Sequence, residues 1–107
     1  MEIEGRAQRG PKQIAARLQS RTPAIRDSAM GEFDTHLEGW ILRPPKQDEA
    51  RKEHFGDVEL VIDAAEGVMD KVSTLTAERK NNLSCRMETA RASIASKRTG
   101  EARIKRT

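Results

Sequence analysis

One apolar row in the second half of the chain constrains the fold most. The segment 57–98 contains no proline, and its first half carries apolar residues at alternating intervals of three and four. They are Val58, Val61, Ala65, Val68, Val72 and Leu75. This heptad spacing places one stripe on one side of a helix, where it faces a partner helix. The stripe has to be covered, so the sequence predicts a long C-terminal helix that packs on another helix.

The row is interrupted and then resumes in a shifted register. It fails at Arg79 and Asn82, and apolar residues return at Leu83, Met87, Ala90 and Ile94. One continuous helix over 57–98 with a four-residue stutter explains this pattern, and it is the preferred interpretation. A tight turn at Asn81 and Asn82 is the alternative. A β-strand over 58–62, which is rich in β-branched residues, would not explain why the heptad continues.

Two further helices are predicted in the first half. Pro11 stands at a first helical position, and the apolar residues that follow it share one face, which predicts a short helix over 11–20. Thr22 and Pro23 combine a capping hydroxyl with a proline at the first helical position. Apolar residues then recur every four positions, which predicts an amphipathic helix to about residue 42 that ends before Pro44 and Pro45. The recurring residues are Ile25, Ala29, Phe33, Leu37 and Ile41.

A charged connector is expected between the two halves. Residues 47–55 are charged and favour a helix, Gly56 suits a helix C-cap, and Asp57 suits the N-cap of the next helix. The predicted fold is therefore all-α, with a helical hairpin or coiled-coil-like packing. We expect a flexible arm over 1–10, a single helical domain over 11–98 and a basic tail over 99–107.

Composition limits the core that this chain can build. Leu, Ile, Val and Phe supply only 19 of 107 residues, a share that is typical of disordered chains. Disordered chains also carry a high net charge, whereas here 20 Lys and Arg oppose 17 Asp and Glu. We therefore expect a solvated helical protein that needs a partner to complete its core.

Charge is distributed unevenly along the chain. Residues 1–30 carry a net +3, residues 31–60 a net −4 and residues 81–107 a net +5. Basic ends rich in arginine favour forked contacts with phosphate or carboxylate groups. The candidate nucleic-acid-binding residues are Arg17, Arg21, Thr22, Arg26, Lys97, Arg98, Arg103, Lys105 and Arg106.

One short motif points to DNA. The sequences Ile-Ala-Ala-Arg-Leu at 14–18 and Thr-Pro-Ala-Ile-Arg at 22–26 together resemble a helix-turn-helix DNA-binding unit. The resemblance implies that Ala15, Leu18 and Ile25 pack the two helices together. It also implies that Arg21, Thr22, Ala24, Arg26 and Asp27 face DNA or its backbone.

No residue pattern indicates a reaction. His36 and His54 lie 18 residues apart, Cys85 is the single cysteine, and the glycines are scattered. A metal site needs several converging ligands, and a phosphate loop needs clustered glycines. We therefore expect no enzyme activity, no metal, no cofactor and no small-molecule substrate. The absence of a signal peptide or an apolar membrane segment predicts a cytoplasmic protein without membrane contact, although import into an organelle stays open.

These observations favour a non-catalytic structural or adaptor subunit of a larger assembly. Its predicted contacts are other protein subunits, or a second copy of the chain through the C-terminal helix, with nucleic acid as a further ligand of the basic ends. The candidate partner-binding residues are Trp40, Val58, Val61, Val68, Val72 and Leu75. The alternative is a small helix-turn-helix DNA-binding regulator that dimerises through its C-terminal helix.

Overall fold

The computed structural model describes residues 10–72 and 74–106, with side chains over 10–72 and 74–97, and it is all-α. Within these residues the helices are α1 (Pro11–Leu18), α2 (Pro23–Leu42), α3 (Asp48–Val68) and α4 (Ala77–Arg106). A 3₁₀ turn, Met69–Lys71, follows α3. The described part contains no strand, and residues 58–62 lie inside α3. The all-α prediction and the helix ending at residue 42 are confirmed. Apart from Gly10, the predicted arm over 1–10 lies outside the described residues.

The first two helices begin as their prolines suggest. Pro11 and Pro23 occupy first-turn positions of α1 and α2, where a missing N–H breaks no helical hydrogen bond. The Gly10 N–H donates to Gln13 Oε1 at 3.0 Å, which caps α1. The expected cap from the Thr22 side chain is wrong, because that hydroxyl makes no capping bond. Instead, the Thr22 N–H donates to Ser20 Oγ at 3.0 Å and tightens the turn between the helices.

The charged segment that the sequence predicts as helix-favouring is helical, but the predicted break at its end is wrong, because residues 48–56 form the first half of α3 and the helix continues to Val68. Asp48 and Glu49 lie in the first turn, where carboxylates interact favourably with the helix dipole. Arg51 forms an ion pair with Asp48 at 2.5 Å and donates to the Lys46 carbonyl at 2.9 Å. Gly56 is exposed inside the helix and does not end it. Asp57, predicted to be an N-cap, is likewise an interior residue.

A long C-terminal helix is present as α4, but the prediction that it runs without a break from residue 57 is wrong, and so is the predicted turn at Asn81 and Asn82. The chain leaves α3 at Val68 and starts α4 at Ala77, and both asparagines lie in the first turns of α4. Thr76 explains where α4 begins. Its Oγ1 accepts a hydrogen bond from the Arg79 N–H at 3.2 Å, which is the geometry of a helix N-cap.

One hydrophobic core joins all four helices. Helix α1 packs against α2 and α3, and α4 contacts both α2 and α3. Val58, Val61 and Val72 are all at most 1% exposed in this core, and Val68 and Leu75 pack on it while half-buried. The heptad row is therefore covered by helices of its own chain, in a helical hairpin formed by α3 and α4.

Candidate docking groove

An arginine on α4 fixes the register between α2 and α4. Arg86 donates to Glu38 in a fork, from Nε to Oε2 at 2.7 Å and from Nη2 to Oε1 at 2.6 Å. It also donates to the carboxylate of Asp34 and, at 2.7 Å, to the Asp34 carbonyl. Arg79 donates to the same Asp34 carboxylate at 2.7 Å. Later residues of α2 thus face later residues of α4, so these two helices run parallel.

These contacts shift the pKa of both Glu38 and Arg86. The hydrogen bond from Arg86 lowers the pKa of Glu38, and the nearby positive charge acts in the same direction against partial burial. The hydrogen bond to Glu38, followed by that to Asp34, raises the pKa of Arg86. The pair is therefore charged at neutral pH, and it holds α2 and α4 together at one end of a groove.

The groove lies between α2 and α4, beyond this ion-pair cluster. It is about 290 Å³ in volume, with an apolar floor and rim formed by Leu37, Ile41, Leu42 and Ala90. Cys85, Thr89 and Ser93 line the α4 side. Leu42 is 71% exposed, which makes it the most exposed large apolar side chain in the described part of the chain.

A second exposed feature follows the outer side of α3. Six residues at intervals of four and three point away from the core, and all six are exposed. We call them the acidic row: Glu49, Glu53, Gly56, Leu60, Asp63 and Gly67. Leu60 is 45% exposed at the middle of the row. Arg91 of α4 forms ion pairs with Asp63 and Glu66, and Lys80 with Asp70, so α3 and α4 run antiparallel.

Trp40, the predicted anchor for a partner, is half-buried in its own chain. Its ring lies 6.2 Å from Phe33 and 6.3 Å from His36, measured between ring centroids. The Trp40 carbonyl lies 2.8 Å from His54 Nε2, which ties the end of α2 to α3. The other predicted partner-binding residues belong to the core or pack on it. Leu42 and Leu60, which offer accessible apolar surface, were missed because each lies off the periodic rows.

The predicted DNA-binding residues near the N-terminus have mixed surroundings. Ala15 and Leu18 are buried as expected, but Ile25 is 39% exposed, so its predicted role in locking the helix pair is wrong. Arg17 donates to Glu32 at 2.6 Å, and Arg26 donates to the Ser20 carbonyl at 3.1 Å. Both arginines are thus occupied within the chain.

The remaining predicted nucleic-acid contacts are on exposed or undescribed side chains. Arg21, Thr22 and Lys97 are exposed. The side chains of Arg98, Arg103, Lys105 and Arg106 lie outside the described residues, although the backbone of α4 runs through them to Arg106. In the described part of the chain, no three His, Cys, Asp or Glu residues are placed to hold a metal ion. None of the described helices combines the length and apolarity needed to cross a bilayer.

Comparison with protein families, curated proteins and solved structures gave no match to this chain. The function of this chain has therefore to be inferred from its own geometry.

Proposed function

We propose that this protein is a non-catalytic helical adaptor, a subunit of a larger assembly that binds its neighbour through the groove between α2 and α4. The observation that carries the proposal is Leu42, which is 71% exposed on the rim of an apolar groove. Full burial of a leucine side chain contributes about 1.5–3 kcal/mol, so a neighbour that covers Leu42 gains from doing so.

The groove is suited to binding because its walls are held before any partner arrives. Arg86 ties Glu38 and Asp34 of α2 to α4 at one end of the groove. The apolar floor residues Leu37 and Ile41 are also part of the core and are at most 7% exposed. A preformed apolar cleft with a few polar groups at its margin is the usual form of a binding surface. Helical ligands use such clefts by inserting apolar side chains spaced one turn apart.

Cys85 provides a direct test because it is exposed, lines the groove and is the single cysteine. A photo-crosslinker attached to this thiol should link the protein to its neighbour in an extract of its native host. Leu42→Glu should abolish that product. The matched control carries the crosslinker at the exposed Ala16 of α1, in an Ala16→Cys, Cys85→Ser background. The proposal would be refuted if the crosslinker gave the same crosslinked product at position 16 as at Cys85, or if Leu42→Glu left the product from Cys85 unchanged.

A DNA-binding regulator is the second candidate. The observation in its favour is the short connection between α1 and α2, where Arg21 and Thr22 are exposed. A regulator should shift duplex DNA in a gel at physiological salt, and Arg21→Ala should weaken that binding. Arg26→Ala should weaken it as well. Absence of a shift, or indifference to both changes, removes this candidate and leaves the adaptor proposal unaffected.

A further inference from the structure

We propose that the α2–α4 groove receives the acidic row of α3 from a second copy of this chain. The inference rests on the proposed role of the groove as a docking surface and names its occupant. In this contact, Leu60 of one copy enters the groove beside Leu42 of the next. The groove opens between α2 and α4, whereas the acidic row lies on the outer side of α3, which packs on both of those helices, so one contact cannot use both surfaces of a copy and is head-to-tail.

The shape of the acidic row fits a close helix contact. Leu60 projects from α3 with 45% of its surface exposed. Gly56 lies one turn before it and Gly67 two turns after it on the same side, and a Cβ added at either glycine would meet nothing within 4 Å. An interior helical glycine costs about 1 kcal/mol relative to alanine. Nothing inside the chain requires a glycine at either position, whereas both would let another backbone approach α3 closely.

Glu38 lines the groove but is paired with Arg86, and the other charges near the two surfaces are opposite in sign. Helix α3 carries seven acidic and two basic residues over 48–68. Glu49 and Glu53 of the row are exposed, and neither forms an ion pair with the described side chains. Near the groove, Arg43 directly follows Leu42, and Lys97 lies one turn beyond Ser93 on α4; both cations are exposed. Opposite potentials of this kind orient the partners and raise the rate at which they meet.

The head-to-tail geometry makes a specific prediction about assembly. Such contacts produce closed rings or open chains of copies, because each added copy leaves one free surface of each kind until a ring closes. The groove spans only about two helical turns of α4, from Cys85 to Ser93. Interfaces of this small size are weak and transient. We therefore expect association that rises with concentration and falls with added salt.

Sedimentation velocity on the full-length protein, under reducing conditions, tests the inference. The wild type should show a weight-average sedimentation coefficient that rises between micromolar and millimolar concentration. Leu42→Glu and Leu60→Glu should each sediment as a monomer at every concentration. An equimolar mixture of the two variants should form a dimer and nothing larger, since it unites one intact groove with one intact acidic row. Ile25→Glu, an exposed position outside both surfaces, is the matched control and should behave as the wild type.

The alternatives give different results. A wild type that stays monomeric throughout, or variants that still associate, would overturn the inference. Two variants that are each monomeric but fail to combine would show that the groove of one copy does not bind the acidic row of another, which also overturns it. Circular dichroism confirms that each variant is folded, as expected for changes at exposed positions. If the purified protein is monomeric while the Cys85 crosslinker links it to a different protein, the adaptor proposal stands and this inference fails.

Discussion

At the scale of single residues, Arg86 is the side chain on which the alignment of α2 and α4 depends most. Isolated surface ion pairs contribute little, because ordering two long side chains offsets a screened attraction. Arg86 differs because its planar fork meets both oxygens of Glu38 while its remaining donor groups reach Asp34. Most of the Arg86 side chain is covered, with 28% of its surface exposed. Because its contact is bidentate and it is partly buried, Arg86 stabilises the fold. It also lies at one end of the groove.

Arg86→Met should therefore lower the free energy of unfolding by about 1–2 kcal/mol, since charge-assisted hydrogen bonds are lost while the packing of the aliphatic part is retained. Arg86→Lys should lose part of this amount, because an ammonium group keeps the charge but cannot form the fork. Urea denaturation measures both changes. Equal stability of all three proteins would contradict the role given to Arg86.

The same contact should make stability depend on pH in the acid range. A carboxyl group whose pKa is lowered by folding contributes stability above its unfolded pKa, and this is lost as pH falls through the folded value. Glu38 has such a lowered pKa because Arg86 donates to it. The difference in stability between the wild type and Arg86→Met should thus be largest at neutral pH and shrink as Glu38 protonates. Urea titrations at neutral and acid pH would show this, and a constant difference would argue against it.

At the scale of helices, the sequence was most informative where local chemistry and periodicity agreed. Helix α2 matches its predicted bounds because three signals mark the same segment. They are Pro23 at its start, the apolar residues at every fourth position, and the pair Pro44 and Pro45 after its end. The break between α3 and α4 was missed because Val72 and Leu75 continue the heptad in sequence while packing on the core from a turn. Periodicity reports which residues become buried, and a turn can bury them as well as a helix. The local capping signal of Thr76 could have located the start of α4.

Val72 is a core residue within a single chain, whereas the sequence predicts it to be a partner-binding residue. It is 1% exposed within a single chain, so Val72→Asp should unfold the monomer by placing an unpaired carboxylate in the core. We expect a loss of about 3–5 kcal/mol in the free energy of unfolding. Val68→Asp, at a half-buried position, should cost distinctly less. Thermal unfolding followed by circular dichroism compares them, and a folded Val72→Asp variant with wild-type stability would place this residue outside the core.

A helical glycine away from both proposed surfaces offers a gain in stability. Gly31 is exposed inside α2, and a Cβ there would meet nothing within 4 Å. Gly31→Ala should raise the free energy of unfolding by about 0.5–1 kcal/mol, since alanine loses less backbone entropy on folding. Gly39→Ala is the comparison, because its Cβ would lie 3.0 Å from Arg43 Nη2 and the arginine must move. Urea denaturation should rank Gly31→Ala as the more stable variant.

At the scale of the whole molecule, the few large apolar residues of the chain are mostly buried together in one core. Each helix contributes a few fully buried side chains, so the chain covers its own heptad row. Among the described side chains, the exposed large apolar ones are Ile25, Leu42 and Leu60. The groove could not be predicted from the sequence because it depends on how α2 and α4 pair. Arg86 decides this pairing through its contacts with Glu38 and Asp34, which precede it in the chain by 48 and 52 positions. The groove is lined by residues of two helices, and no periodic pattern in the sequence connects the residues of one helix with those of the other.

The distribution of this core predicts which described residues of α4 tolerate substitution. Ile94 is fully buried and is the last core residue among the described side chains, whereas Ala95, Ser96 and Lys97 are all exposed. Lys97→Ala should thus change the free energy of unfolding by less than about 0.5 kcal/mol, because substitutions at exposed positions usually have effects this small. Ile94→Ala should cost about 2–5 kcal/mol, since it leaves a cavity in the core that α4 shares with α2 and α3. Urea denaturation measures both variants, and equal losses of stability would place Ile94 outside the core.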